Sequence, residues 1–305
     1  MKKEFSTFCE NNKLTSKQKE DAKTKYEGVS KKLHDSYYDN EYDGSIKFLF
    51  GSYKTKTNVR PLTEDQDVDV LFKIPNETFD KFDNYESNGQ SALLQEVKDY
   101  LKEKYATTET IKGWGKVVLV KFSNPYHNVE ILPALEKEDG TFLIPETKNG
   151  GSWEDFDPRK QIEEFQTSNG NTNGLTAELS RMIKTWVKNV LSLDYKSYII
   201  VEDVIEFLKT EFEDGADYEE YHNVVKNFFD YLKRRCSDDI KSHVETAYVR
   251  SVKAIGYMDS EKPKEASEEW RKIFGNEFPK VSENPKKGTK SESRIIVNPS
   301  PPWSR

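Results

Sequence analysis

Apolar residues near the start of the chain recur at three- and four-residue intervals. Ala22, Tyr26, Val29, Leu33 and Tyr37 form one stripe among lysines and acids, which predicts a helix over residues 17–38. The pattern then becomes strand-like along Ser45-Ile46-Lys47-Phe48-Leu49-Phe50 and stops at Gly51, and residues 54–64 read as a polar, proline-punctuated loop. Over residues 67–74 the chain alternates, with Val68, Val70 and Phe72 on one face and Asp67, Asp69 and Leu71 on the other. Leu93, Leu94, Val97, Tyr100 and Leu101 predict a helix over 91–105, and residues 116–122 a strand. After a turn at Asn124-Pro125-Tyr126-His127, a short strand over 129–135 is ended by Pro133, and a loop-rich segment runs through Gly150-Gly151 to Pro158.

The second half is helical in pattern. Leu175, Leu179, Met182, Trp186 and Val190 mark one helix, and Val201, Ile205, Leu208 and Phe212 the next. Tyr221, Val224, Phe228 and Leu232 mark a third, followed by Val244, Tyr248, Ser251 and Ile255. The expected architecture is α+β: an N-terminal helix over 1–40 bridging two lobes, a mixed-sheet core over 41–160, a helical lobe over 161–278 and a polar tail over 279–305. The tail, rich in Lys, Ser and Pro, reads as a mobile or surface-lying extension, and no internal repeat is visible.

With 305 residues, 33% charged and 34% hydrophobic, the chain has the balance of a soluble globular protein large enough for a sizeable core. No apolar run reaches the roughly 18 to 20 residues of a membrane span. The start, Met1-Lys2-Lys3-Glu4-Phe5-Ser6, lacks a signal peptide's apolar core, so a cytoplasmic location is expected. Cys9 and Cys236 are far apart and have no partner at ligand spacing, which argues against a disulfide framework or a structural zinc. A net charge of −7 disfavours a surface built wholly to grip nucleic acid and leaves small nucleotides open as ligands.

One constellation carries chemistry. Nucleotidyl transfer needs an oxygen nucleophile directed at an α-phosphate while pyrophosphate leaves, and two divalent cations stabilise both oxygens. Mg²⁺ or Mn²⁺ takes hard oxygen ligands from a few carboxylates plus phosphates. Asp67 and Asp69, one residue apart on a strand, with Glu130 between Val129 and Ile131 on another, match that donor set. Gly51-Ser52, at the end of the preceding strand, offers backbone N–H groups and a hydroxyl to a triphosphate. An Asp-x-Asp pair alone in so acidic a chain is more often a solvated strand face; order and apolar context raise it above that. Asp65 shares the strand face by period two but falls one pair too early, and reads as a surface acid.

Phe50-Gly51-Ser52-Tyr53, Asp67-Val68-Asp69-Val70-Leu71-Phe72-Lys73 and Val129-Glu130-Ile131-Leu132-Pro133-Ala134-Leu135-Glu136 together resemble the cyclic GMP-AMP synthase-like nucleotidyltransferases, in particular the bacterial enzymes that make cyclic oligonucleotide signals. The resemblance spans most of the chain. It implies a polymerase-β-like lobe joined to a C-terminal helical lobe, with the active site between them. It further implies metal coordination by Asp67, Asp69 and Glu130 and triphosphate binding by Gly51 and Ser52. Glu130 departs from the aspartate common at the third position.

Leu179-Ser180-Arg181-Met182-Ile183-Lys184-Thr185-Trp186 resembles the family's helix whose lysine contacts phosphates, which points to Lys184. Lys196-Ser197-Tyr198 resembles its phosphate-binding serine and base-stacking aromatic. Trp270-Arg271-Lys272-Ile273-Phe274-Gly275 with Phe278-Pro279 resembles a C-terminal packing element. Arg60, Arg159, His127 and His222 are singled out by no spacing, and Trp114 between two glycines reads as a loop anchor.

The implied activity joins NTPs into a cyclic di- or trinucleotide with two Mg²⁺ or Mn²⁺ ions. The product would activate a separate effector in anti-phage defence, the enzyme acting as a monomer. The zinc insertion of the animal DNA sensor is not visible, so DNA activation is not expected. A linear nucleotidyltransferase acting on RNA, protein or a small molecule would use the same acids. A non-catalytic nucleotide-binding module would fit better had one of them been lost.

Overall fold

The apolar stripes of the sequence sort into two main cores, one under a sheet and one among helices. The computed structural model describes residues 1–63, 66–106, 110–123, 127–211 and 220–282. Asp65, the 124–126 part of the expected turn, Phe212 and the 284–302 tail lie outside these described residues. The N-terminal part holds α1 (Lys2–Asn12), α2 (Ser16–Tyr37), β1 (Lys47–Leu49), α3 (Gly51–Thr55), β2 (Asp67–Lys73), α4 (Asn76–Asp83) and α5 (Gly89–Lys104). Then come β3 (Thr110–Trp114), β4 (Val117–Lys121), β5 (Asn128–Glu136), β6 (Phe142–Glu146) and β7 (Ser152–Phe156). The rest is helical: α6 (Pro158–Asn171), α7 (Leu175–Asn189), α8 (Ser197–Thr210), α9 (Tyr221–Lys233), α10 (Asp238–Asp259) and α11 (Pro263–Phe274).

Strand order is β1-β2-β5-β4-β3, with β6 on β5 and β7 on β6. β2 and β5 run parallel, and the other pairs among the described residues are antiparallel. Val68, Val70, Phe72, Val129 and Ile131 are fully buried against the α2 and α5 stripes, including Ala22, Val29, Leu33, Leu93 and Val97. A capping box at Thr15 and Gln18 starts α2.

Four features depart from the sequence pattern. The single N-terminal helix expected to bridge the lobes is two helices: Phe5, Phe8 and Cys9 of α1 enter the helical core, whereas the α2 stripe lies on the sheet. Only Phe5, Phe8 and Cys9 mark the apolar stripe of α1, too few positions to read as periodic. β5 also continues through Pro133. Ala134 turns its carbonyl toward β2, where it accepts from Ile74 N–H at 2.9 Å, so the Pro133 nitrogen faces the other side. There β4 pairing has ended at Ile131 and β6 pairing starts at Leu135, so the proline breaks no ladder bond.

The segment expected as loop up to Pro158 contains the β6–β7 hairpin, and Phe142 and Ile144 pack with Leu71, Leu132 and Ala134 in a third cluster. Trp114, expected to anchor a loop, ends β3 instead, 67% exposed with Lys112 Nζ 4.7 Å from its ring centre.

In the helical core, Phe5 and Phe8 meet Trp270, Phe274 and Phe278 in an aromatic cluster that ties α1 to α11. No helix among the described residues is long and apolar enough to cross a membrane.

Candidate active site

The parallel register of β2 and β5 sets Asp69 directly beside Glu130 and Asp67 beside Asn128. Neighbours in a parallel ladder share a face, so all three acids emerge from the side opposite the buried valines. One rung further, Leu71 and Leu132 occupy the same face and are buried.

Gly51 begins α3 immediately after β1, at φ +61°, and a Cβ there would fall 2.1 Å from Asp69 Oδ2. Both the left-handed backbone and the close approach therefore require glycine. Ser52 follows within α3. Its carbonyl accepts from Thr57 N–H at 2.9 Å, and Asn58 Nδ2 donates to its Oγ at 3.0 Å.

Helix α7 approaches from the other lobe. Lys184 Nζ donates to Thr57 Oγ1 at 2.9 Å, Arg181 to the Lys56 carbonyl at 2.7 Å and Lys188 to the Pro61 carbonyl at 3.2 Å. The 181/184/188 spacing puts all three on one helical face. Ser197 and Tyr198 lie in the first turn of α8, and Tyr198 is 65% exposed.

Two chambers meet at Ser52, Thr57, Asp69, Lys184 and Ser197. The smaller, about 550 Å³, is also lined by Asp67, Glu130 and Asn58. The larger, about 640 Å³, extends past Tyr198, Phe50, Phe165 and Ile162 between α3, α6 and α8. The geometry thus brings together all eight residues singled out in the sequence: Gly51, Ser52, Asp67, Asp69, Glu130, Lys184, Ser197 and Tyr198. Arg60, Arg159, His127 and His222 line neither chamber. Arg159 pairs with Glu136 over the Phe48 and Phe142 rings, and buried His127 lies 3.5 Å from Asp21.

Burial and the charge of Asp67 push Asp69 up to about 7, opposed by Lys184. Burial, then Asp67 and Asp69, push Glu130 up to about 7. Burial lowers Lys184 to about 7 against the favourable field of Asp69. Mutual repulsion and burial thus disfavour full ionisation of the acids, an arrangement suited to added positive charge. Among the described residues no three acids, histidines or cysteines converge tightly enough to enclose a cation by themselves. The three-carboxylate set expected from the sequence, Asp67, Asp69 and Glu130, is therefore not drawn together as a metal cage here, and water and phosphate oxygens would have to complete any Mg²⁺ shell.

Thr57, Asn58, Arg181 and Lys188 were not found from the sequence. Thr57 and Asn58 sit in the loop after α3, and their only signal was an uncharged polar pair just past Gly51-Ser52. Arg181 and Lys188 had a signal in their spacing from Lys184.

Comparison with known proteins agrees with this architecture. The family described as Second Messenger Oligonucleotide or Dinucleotide Synthetase domain matches residues 1–169. A probable cyclic nucleotide synthase of Bacillus cereus (strain VD146) is 24% identical, with 78% of this chain and 83% of that protein covered. The Vibrio cholerae cyclic AMP-GMP synthase DncV, solved with the linear intermediate 5′ pppA(3′,5′)pG, superposes with TM-score 0.69 at 14% identity, over 88% of this chain and 93% of that one. CdnC of Escherichia coli MS115-1, solved in complex with HORMA-deltaN, gives 0.68 at 17%, over 91% and 98%. These superpositions establish the polymerase-β-like fold. The chain belongs to the second messenger oligonucleotide or dinucleotide synthetase family, the nucleotidyltransferases of cyclic oligonucleotide signalling.

Proposed function

We propose that this chain joins NTPs into a cyclic di- or trinucleotide at the junction of the two chambers, using Asp67, Asp69 and Glu130 to hold two Mg²⁺ or Mn²⁺ ions. The observation that carries this reading is the Asp69–Glu130 rung, which opens onto the same space as Ser52 and Lys184. When bound, the divalent ions supply charge neutralisation at the attacking and leaving oxygens.

Gly51 and Ser52 hold the triphosphate with backbone N–H and hydroxyl donors. Lys184 meets it with a compact positive charge. Ser197, at the N-terminus of α8, adds a hydroxyl where the helix dipole favours anions. Tyr198 offers its exposed face to a base. A sugar hydroxyl of one nucleotide attacks the α-phosphate of the other, forming the phosphodiester as the α–β phosphoanhydride bond breaks and pyrophosphate leaves, with Asp69 placed to draw off the hydroxyl proton.

In this reading the catalytic unit comprises residues 41–160, residues 161–278 close over it, and the tail beyond 278 plays no part in the chemistry. The chain works in the cytoplasm as a monomer without DNA activation, and its product switches on a separate effector in anti-phage defence.

The test is incubation with all four labelled NTPs and Mg²⁺ or Mn²⁺, followed by phosphatase and mass analysis. A phosphatase-resistant cyclic product is expected. Phosphatase-sensitive linear products alone would establish the linear transferase instead.

A further inference from the structure

Ser52 has one proton to donate and two lone pairs to fill. Asn58, from the other side of the turn, places an N–H donor 3.0 Å from Ser52 Oγ and so fills one of the lone pairs. With a lone pair engaged, the hydroxyl is oriented and its own proton points elsewhere. The space available is the junction of the two chambers, which Ser52 lines on both sides.

Asn58 is itself fixed. It is buried between fully buried Thr57 and buried Val59. The loop that carries it is gripped at Lys56, Thr57 and Pro61 by Arg181, Lys184 and Lys188 of α7. The turn before it is closed by Thr57 N–H on the Ser52 carbonyl and by Thr55 Oγ1 on the Gly51 carbonyl at 3.0 Å. An amide is also the donor that adds no charge to a chamber already holding Asp67, Asp69 and Glu130.

We infer that Asn58 is a positioning residue that aims the Ser52 proton at a triphosphate oxygen, so that the α7 clamp, Asn58 and Ser52 act as one unit in nucleotide binding. This rests on the proposed nucleotide site. It also predicts how the unit breaks. Aspartate at 58 keeps the shape but replaces the donor with an acceptor, which would take the Ser52 proton and repel the phosphate.

The test is calorimetric titration of wild type, Ser52→Ala, Asn58→Ala, the double variant and Asn58→Asp with α,β-methylene analogues of the four NTPs in Mg²⁺. Thermal unfolding checks that each is folded. For the tightest analogue each single alanine variant should weaken binding about ten-fold, the worth of one hydrogen bond to a charged group. The double variant should be no weaker than either single one, because both remove the same contact. Asn58→Asp should be weaker than Asn58→Ala, and it carries the test should Asn58→Ala fail to fold.

Wild-type affinity in Asn58→Asp, or losses that multiply in the double variant, would overturn the inference while leaving the nucleotide site standing. Failure of wild type to bind any analogue would remove both together.

Discussion

Along a single face of the β2–β5 pair the chemistry reverses between adjacent rungs. Asp69 and Glu130 open onto the chambers, whereas Leu71 and Leu132, one rung on, are buried in an apolar cluster with Phe142 and Ile144. The opposite face is apolar along its whole length. The site is therefore the uncovered end of a core strand pair. The acids inherit the rigidity of a backbone held on its other face by packing, and the repulsion among them is sustained by that packing. Such pre-organisation suits a centre that must accept cations without rearranging.

Breaking the acidic half should have the largest effect. Glu130→Gln keeps size and shape but removes a charge from the rung, and turnover should fall by roughly 10²–10³-fold. Steady-state synthesis assays would show it. The apolar side should respond oppositely. Phe72→Ala empties a fully buried position behind the acids and should lower stability by about 3–5 kcal/mol in denaturant titration. Turnover per folded molecule should stay near wild type. Equal loss of turnover in both variants would erase the distinction between the halves.

A third prediction concerns protons. Asp69 and Glu130 sit at about 7 in the folded chain, above the ordinary carboxylate range. Without cations the folded state then binds more protons than the unfolded one between about pH 4 and pH 7, so these acids make stability fall as pH rises through that window. Lys184, lowered to about 7, acts in the reverse sense only above that value. The Tm advantage of Glu130→Gln over wild type should therefore grow from pH 5.5 to 7.5 in EDTA, and Mg²⁺ should shrink it. A constant difference would contradict the shift. The smallest effect belongs to the exposed rim of the larger chamber. Tyr198→Ala should raise KM roughly ten-fold through lost base stacking, with kcat little changed.

The alternation of residues 67–73 was legible because a strand with one packed face must alternate, and the α2 stripe because a surface helix must carry one. The rung joining Asp69 to Glu130 was not, since parallel register depends on a crossover of more than fifty residues. Strands β6 and β7 were hidden by Pro145 and by the glycines of their turn, which carry a loop's composition. Gly51-Ser52 could be read locally. Thr57 and Asn58 could not, because the partners that give them a role sit on α3 and α7 and only tertiary structure brings them together.

Asp69 lies at the centre of the account: it faces Gly51, pairs with Glu130 and lines both chambers. The most direct test compares wild type and Asp69→Asn for Mg²⁺-dependent formation of phosphatase-resistant product from the four NTPs, with thermal unfolding recorded on the same samples. The account predicts product from wild type, none above background from the variant, and a variant at least as stable as wild type in EDTA at pH 7.5. Product from Asp69→Asn at the wild-type rate would contradict it.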